Sequence, residues 1–331
     1  MKASRWTILL LCAVFVSSAL PGFAGEDKKK DPTAIGDRKV AHKSLTSVEK
    51  EIAIGKQYAN EIDQQARQIK DPVVVEYVNR LAQNLARNSD LTIPLTVKVL
   101  DDPSLNAFAL PGGYLYVNSG LVLAADEEAQ VAGVVSHEIA HVAARHWASQ
   151  QTKSTLLQLA MIPLIFTPMS YPVYMGAMQG LQIGVPLAFL KFSRSAEAEA
   201  DLLGLQYMWK AGYDPTAYVT FFSKVIEQER RSPGSMAAIF ASHPPTPDRI
   251  LTSEENIKEI LPQREQYLVS TSEFEDVKAR LQTIMTARKK DEKKEGPTLR
   301  KRDAADQTAG QAPEPKDTSE DEKPPVLKRR D

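Results

Sequence analysis

Apolar residues recur along this chain with two periods, and the switches between them outline its elements. From Ser47 to Ile69 and from Val73 to Arg87 they fall at helical spacing, with Asp71-Pro72 between as a stop and a start. Leu91 to Leu100 and Gly113 to Val117 are instead rich in β-branched and aromatic residues and are bounded by Asp101-Asp102-Pro103 and Pro111-Gly112-Gly113, which predicts two strands. Asn118-Ser119-Gly120 ends the second, and a short helical piece, Leu121 to Ala125, leads into a longer helix from Asp126 to His146. There Asp126 is the expected N-cap, Glu127 and Glu128 suit the positive end of the dipole, and Val131, Val134, Val135, Ile139 and Val142 form an apolar stripe. Phe192 to Ala211 reads as a helix with Gly212 as its C-cap, and another follows Asp214-Pro215 to about Arg230. Ser242 to Pro247 reads as a rigid turn, Thr246 caps a helix that includes Asp248 to Leu251, and Glu273 to Lys289 is a last amphipathic helix. The pattern predicts an α+β domain over residues 46–289, mainly helical, with a small sheet. Its expected edge strand, around Tyr114 to Val117, lies beside the helix from Asp126.

Four stretches fall outside these periods. Residues 1–24 combine Lys2 and Arg5, an apolar run from Ile8 to Ala19 and small residues at Gly22 and Ala24, the make-up of a secretory signal peptide cut after Ala24. Residues 25–45 are charged and poor in apolar groups, and are expected to be a flexible leader. From Ser154 to Leu190 there is no charge, and prolines and glycines cut the stretch into pieces too short to span a bilayer; a core or lid segment is expected, with membrane-surface contact as the other reading. Residues 290–331 alternate charges, repeat prolines and lack aromatics, which predicts a disordered tail.

Net charge is −1 over 331 residues, so nothing suggests a nucleic-acid partner. Cys12, the one cysteine, lies in the signal peptide, which removes cysteine from the candidate nucleophiles and metal ligands of an exported, periplasmic protein.

The candidate chemistry sits in the helix from Asp126. His137, Glu138 and His141 form H-E-x-x-H, which places two imidazoles one turn apart where both reach one Zn²⁺, while Glu138 stands to the side, able to hold water. A catalytic zinc needs a third protein ligand and an open position. The chain has five histidines, His42, His137, His141, His146 and His243, so a carboxylate is a serious candidate. In Glu197-Ala198-Glu199-Ala200-Asp201, Glu197 and Asp201 share a helix face and Glu199 points nearly opposite. That pair suits one carboxylate on the metal and one holding a ligating histidine by its other nitrogen.

These motifs, with Phe192-Ser193-Arg194, Ser242-His243-Pro244-Pro245 and the segment Asn106 to Tyr114, resemble the HtpX/BepA/Oma-type zinc metallopeptidases, the minigluzincins, over roughly Leu91 to Leu251. The resemblance implies a gluzincin-like fold, one zinc per chain on His137, His141 and Glu197, Glu138 as general base, and proteolysis in envelope protein quality control. It also implies unfolded or misassembled proteins as substrates and puts His243 near the metal, either stabilising the oxyanion or filling the open position. Neither the transmembrane helices of the first branch nor the tetratricopeptide array of the second is expected from these segments, the C-terminal part being short and polar. The competing reading is a chaperone-like assembly factor with a latent zinc site.

Overall fold

The computed structural model describes residues 28–161, 192–231 and 243–295. The expected signal peptide, most of the uncharged stretch, Ser242 and the tail beyond residue 295 lie outside them. Residues 1–285 form one compact unit and 286–331 a second, of which only the end of a helix, to Glu295, is described. Among the described residues no helix is long and apolar enough to cross a membrane.

Two short 3-10 turns, Lys28–Lys30 and Pro32–Ala34, precede α1 (Val48–Gln65) and α2 (Pro72–Arg87). Both helices start where the sequence puts them: Ser47 accepts from Lys50 N, and Asp71 accepts from Val74 N with Pro72 in the first turn. Three strands follow, β1 (Thr96–Leu100), β2 (Ala107–Leu110) and β3 (Tyr114–Asn118), then α3 (Ser119–Ala124), α4 (Glu128–Ala143) and α5 (His146–Met161). After them come α6 (Arg194–Ala211), α7 (Thr216–Arg231), α8 (Pro247–Ile260) and α9 (Ser272–Glu295), the last running past its expected end at residue 289. Gly212 closes α6 in the left-handed conformation, φ 93°, and Thr246 caps α8 by accepting from Arg249 N.

The sheet has the order β1-β3-β2, parallel between β1 and β3 and antiparallel between β3 and β2. This corrects the expected edge. The Tyr114 to Val117 strand is central, its backbone groups taken by β1 on one side and β2 on the other, so no peptide can pair with it. β1 and β2 are the outer strands, and the one against α4 is β2, four residues that the sequence shows only as Ala-Phe-Ala-Leu between turns, too short for a period-2 signal.

The helix carrying H-E-x-x-H is buried all round. Every residue of α4 from Glu128 to His141 is buried, so the valine stripe is only part of a helix enclosed by α2, β2, α6 and α7. Its N-terminus also differs from expectation. Asp126 donates its own N–H to Gln130 Oε1 and pairs through its carboxylate with Lys224, while the cap position, Glu127, makes no side-chain bond. The first-turn donors go to the segment before α9: Ala129 N to Val269 O at 2.9 Å and Glu128 N to Ser270 Oγ at 3.4 Å. Tertiary partners thus replace a local cap. Against α4 lies α6, at a distance that Gly204 permits: a Cβ at that position would meet His137 N at 3.1 Å and His137 Cα at 3.2 Å.

Residues 28–45 are not a free leader. Ile35 and Val40 are buried, and Arg38 forms an ion pair with Asp90 at 2.9 Å in which each side chain is 1% exposed. Arg38 also donates to Lys29 O and to Gln206 Oε1, and Tyr207 OH donates to Asp90 Oδ2. Charge-rich composition suggests disorder when the charges remain in water; here remote segments supply their partners.

Candidate metal centre

The 3.6-residue period of α4 brings His137 and His141 to one face, with their Nε2 atoms 3.0 Å apart. α6 crosses opposite and presents Glu197, whose Oε2 lies 3.5 Å from His137 Nε2 and whose Oε1 lies 3.6 Å from His141 Nε2. The segment before α8 adds His243, with Nδ1 2.8 Å from Glu197 Oε1. One ligand atom from each of these four buried residues lies within 4.8 Å of every other. Glu138, on the neighbouring face, accepts a hydrogen bond from Ala109 N of β2 at 3.1 Å, and its Oε1 stands 3.9 Å from His243 Nε2.

Around this cluster the other groups fix its orientation. Asp201, one turn after Glu197, reaches His137 Nδ1 at 3.0 Å and is itself gripped by Arg249, Nε to Oδ2 at 2.8 Å and Nη2 to Oδ1 at 2.6 Å. Tyr218 OH also donates to Asp201 and lies 3.3 Å from His137 Nδ1. Arg249 Nη1 donates to His243 O and Pro244 O, tying the His243 segment to the same carboxylate. On the other side, His141 Nδ1 faces His146 Nδ1 at 2.9 Å.

Burial alone would raise Glu197, but hydrogen bonds from His137 and His243 outweigh it and hold the carboxyl far below its usual range. The same contest, won by the Arg249 and His137 bonds, leaves Asp201 at about 2. Burial pushes His141 well below its ordinary value, and the neighbouring His137 works in the same direction, toward the neutral ring that a metal requires. Burial also pushes Glu138 up, against the lowering charges of His243 and His137, in the direction a proton acceptor working near neutral pH needs.

These residues fit a metal ion. Two imidazoles and a carboxylate converge, one ligand atom from each within 4.8 Å of the others. His243 Nε2 is buried without a hydrogen bond, and Glu197 Oε2, although Arg249 Nη1 stands 3.1 Å away, makes none either. A divalent cation satisfies all of them, and a nitrogen-rich set with one carboxylate suits zinc over calcium or magnesium.

The sequence-derived candidates His137, Glu138, His141, Glu197 and His243 therefore lie together, with Asp201 behind His137. Sequence reading missed Tyr218, Arg249 and His146 as parts of the site. Tyr218 and Arg249 belong to no motif; His146, five residues after His141, falls off the shared face of an uninterrupted helix.

Residues 72–256 match peptidase family M48. The chain is 28% identical over 277 residues to the beta-barrel assembly-enhancing protease of Escherichia coli, covering 82% of this chain and 55% of that one. It is 31% identical over 190 residues to the mitochondrial metalloendopeptidase OMA1 of Schizosaccharomyces pombe, covering 57% of this chain and 55% of that one. This chain thus spans about half the length of these relatives.

Proposed function

Because the chain belongs to peptidase family M48, we propose that it is a zinc-dependent endopeptidase acting on misfolded or unassembled proteins of the bacterial envelope. His137, His141 and Glu197 hold the ion, in the gluzincin manner. When bound, the ion supplies Lewis acidity, which acidifies water and polarises a peptide carbonyl. The remaining work falls to the chain. Glu138, its proton affinity raised by burial, takes a proton from the attacking water and returns it to the departing amine. Asp201 holds His137 by Nδ1, which keeps Nε2 turned to the site. The outer strand β2 aligns the substrate backbone by strand addition, which needs no particular side-chain sequence and suits unfolded clients.

The observation that carries this reading is the convergence of two histidines and a glutamate beside a buried glutamate whose carboxylate touches the outer strand. The N-terminal signal pattern supports export to the periplasm, and the name of the Escherichia coli relative supports unassembled β-barrel proteins as clients. His243 is best read as a plug: it is buried within ligand reach of the cluster, in a segment braced by Arg249, where it competes for the open position. That feature also favours the second reading, a client-holding assembly factor whose zinc site is latent. The same experiment separates them. The full chain is incubated with casein, with and without a chelator, beside His243→Ala. Chelator-sensitive cleavage, faster in the variant, supports a protease; no cleavage by either protein at one zinc per chain leaves the holding role.

A further inference from the structure

A second group of ligating side chains, His42, His146 and Glu199, stands beside the first, with one ligand atom from each within 4.8 Å of the others. It borders a cavity of about 290 Å³ lined in part by Ser149, Lys153 and Ser195. Composition alone would make it a second metal site. The hydrogen-bond chemistry says otherwise.

His141 turns Nε2 toward Glu197 and His137, so in a neutral, metal-ligating ring its single proton sits on Nδ1. That nitrogen faces His146 Nδ1 at 2.9 Å, so His146 Nδ1 must accept. The His146 proton is then on Nε2, which points at Glu199 Oε2 from 3.4 Å. A ring nitrogen that bears a proton has no lone pair for a metal. The same Glu199 oxygen is 2.7 Å from His42 Nε2, and Lys29 Nζ binds Glu199 Oε1 at 2.6 Å. The carboxylate is thus engaged as the acceptor that ends a chain.

The backbone is built to make this contact. In a continuous helix His146 would be turned ~140° from His141. Arg145 breaks the helix with φ 56°, the one positive φ outside glycine among the described residues, and returns His146 beneath His141, ring centroids 4.9 Å apart. Arg145 is held there by Glu51 and by Thr46 O, and His42 N donates to Ala144 O, so the segment before α1 fixes both the break and the end of the chain.

Resting on the zinc reading of His137, His141 and Glu197, we propose that His146 and Glu199 are positioning residues that set the tautomer and ring orientation of His141, with His42 and Lys29 anchoring Glu199, and that they are not a second metal site.

The test uses the full chain and measures zinc stoichiometry, zinc affinity by competition with a chromophoric chelator, the visible spectrum of the cobalt-substituted protein, and the Tm of the metal-free form. Wild type should bind one zinc. His146→Ala and Glu199→Ala should each still bind one, about 10- to 100-fold more weakly, with an altered cobalt spectrum. His146→Gln, which can accept from His141 and donate to Glu199, should stay near wild type in both. Imidazole added to His146→Ala, admitted through the cavity, should recover affinity. His42→Ala, at a partly exposed position, should fold and weaken binding only a few-fold, which keeps the test available if His146→Ala fails to fold. Wild-type affinity and spectrum in both His146→Ala and Glu199→Ala would overturn the positioning role while leaving the zinc reading intact. A second zinc in wild type that His42→Ala removes would also overturn it. If wild type takes up no zinc, or Glu197→Ala binds it as well as wild type, the zinc reading itself fails and this proposal with it.

Discussion

At the scale of single residues, neighbouring acids divide sharply in role. Glu138 is buried, has its proton affinity raised and is not one of the four clustered ligand candidates, so Glu138→Gln should keep one zinc per chain while lowering kcat by about 10²- to 10⁴-fold. Zinc content and casein cleavage measured on the same preparation check this, and near wild-type turnover would remove Glu138 as base. Glu197 and Asp201, one turn apart, should separate in dialysis. Glu197→Ala removes a proposed ligand and should lose the metal, whereas Asp201→Ala leaves the proposed ligands and should weaken binding about 10- to 100-fold. Asp201→Ala should also destabilise the chain, because the half-buried Arg249 loses its two-bond acceptor and keeps only the ion pair with Glu197. His243→Ala should raise basal cleavage of casein and of the chain itself; a lower rate would instead assign the imidazole to oxyanion stabilisation.

At the scale of elements, the site depends on the approach of α6 to α4. Two helices with ordinary side chains at the crossing pack 8–10 Å apart, and Gly204 lets α6 come up to the His137 backbone. Gly204→Leu should therefore push Glu197 away from the histidines. We expect zinc affinity to fall well beyond the loss in Tm, whereas a drop in Tm with unchanged zinc affinity would show that the crossing is not what sets ligand distance. The sheet contributes through position. β3 is paired on both sides, and β2, the outer strand beside Glu138, turns the Ala109 N–H to that carboxylate.

At the scale of the whole molecule, the segment before α1 acts as a strap. Arg38 and Asp90 are buried together, and Ile35 and Val40 join the main core. Arg38→Met leaves the Asp90 carboxylate buried with the Tyr207 O–H and the Gly36 N–H as donors but no cation, and should cost roughly 3–5 kcal/mol. A urea titration checks this; a loss under about 0.5 kcal/mol, the range of a surface substitution, would mean that the strap contributes nothing. Removing the metal should lower Tm, by an amount that grows with the logarithm of zinc concentration over its Kd, since the ion binds only the folded ligand set.

The amino-acid sequence by itself determined what depends on local period. H-E-x-x-H on a helix fixes two histidines on one face, Glu197 and Asp201 repeat the device on a second helix, and Ser47, Asp71, Thr246 and Gly212 mark ends that local hydrogen bonds and a left-handed φ enforce. Only the tertiary structure decided what depends on which surface meets which. β2 became the outer strand because β3 pairs with β1 and β2 together. The charged segment before α1 became ordered because Asp90, Gln206 and Glu199 wait for its cations in distant parts of the chain. His146 joined His141 because Arg145 turned the backbone, and Tyr218 and Arg249 joined Asp201 because α7 and α8 close over α6. Spacing along the chain carries the first kind of information, whereas the second arises from partners remote in sequence, which no local period can encode.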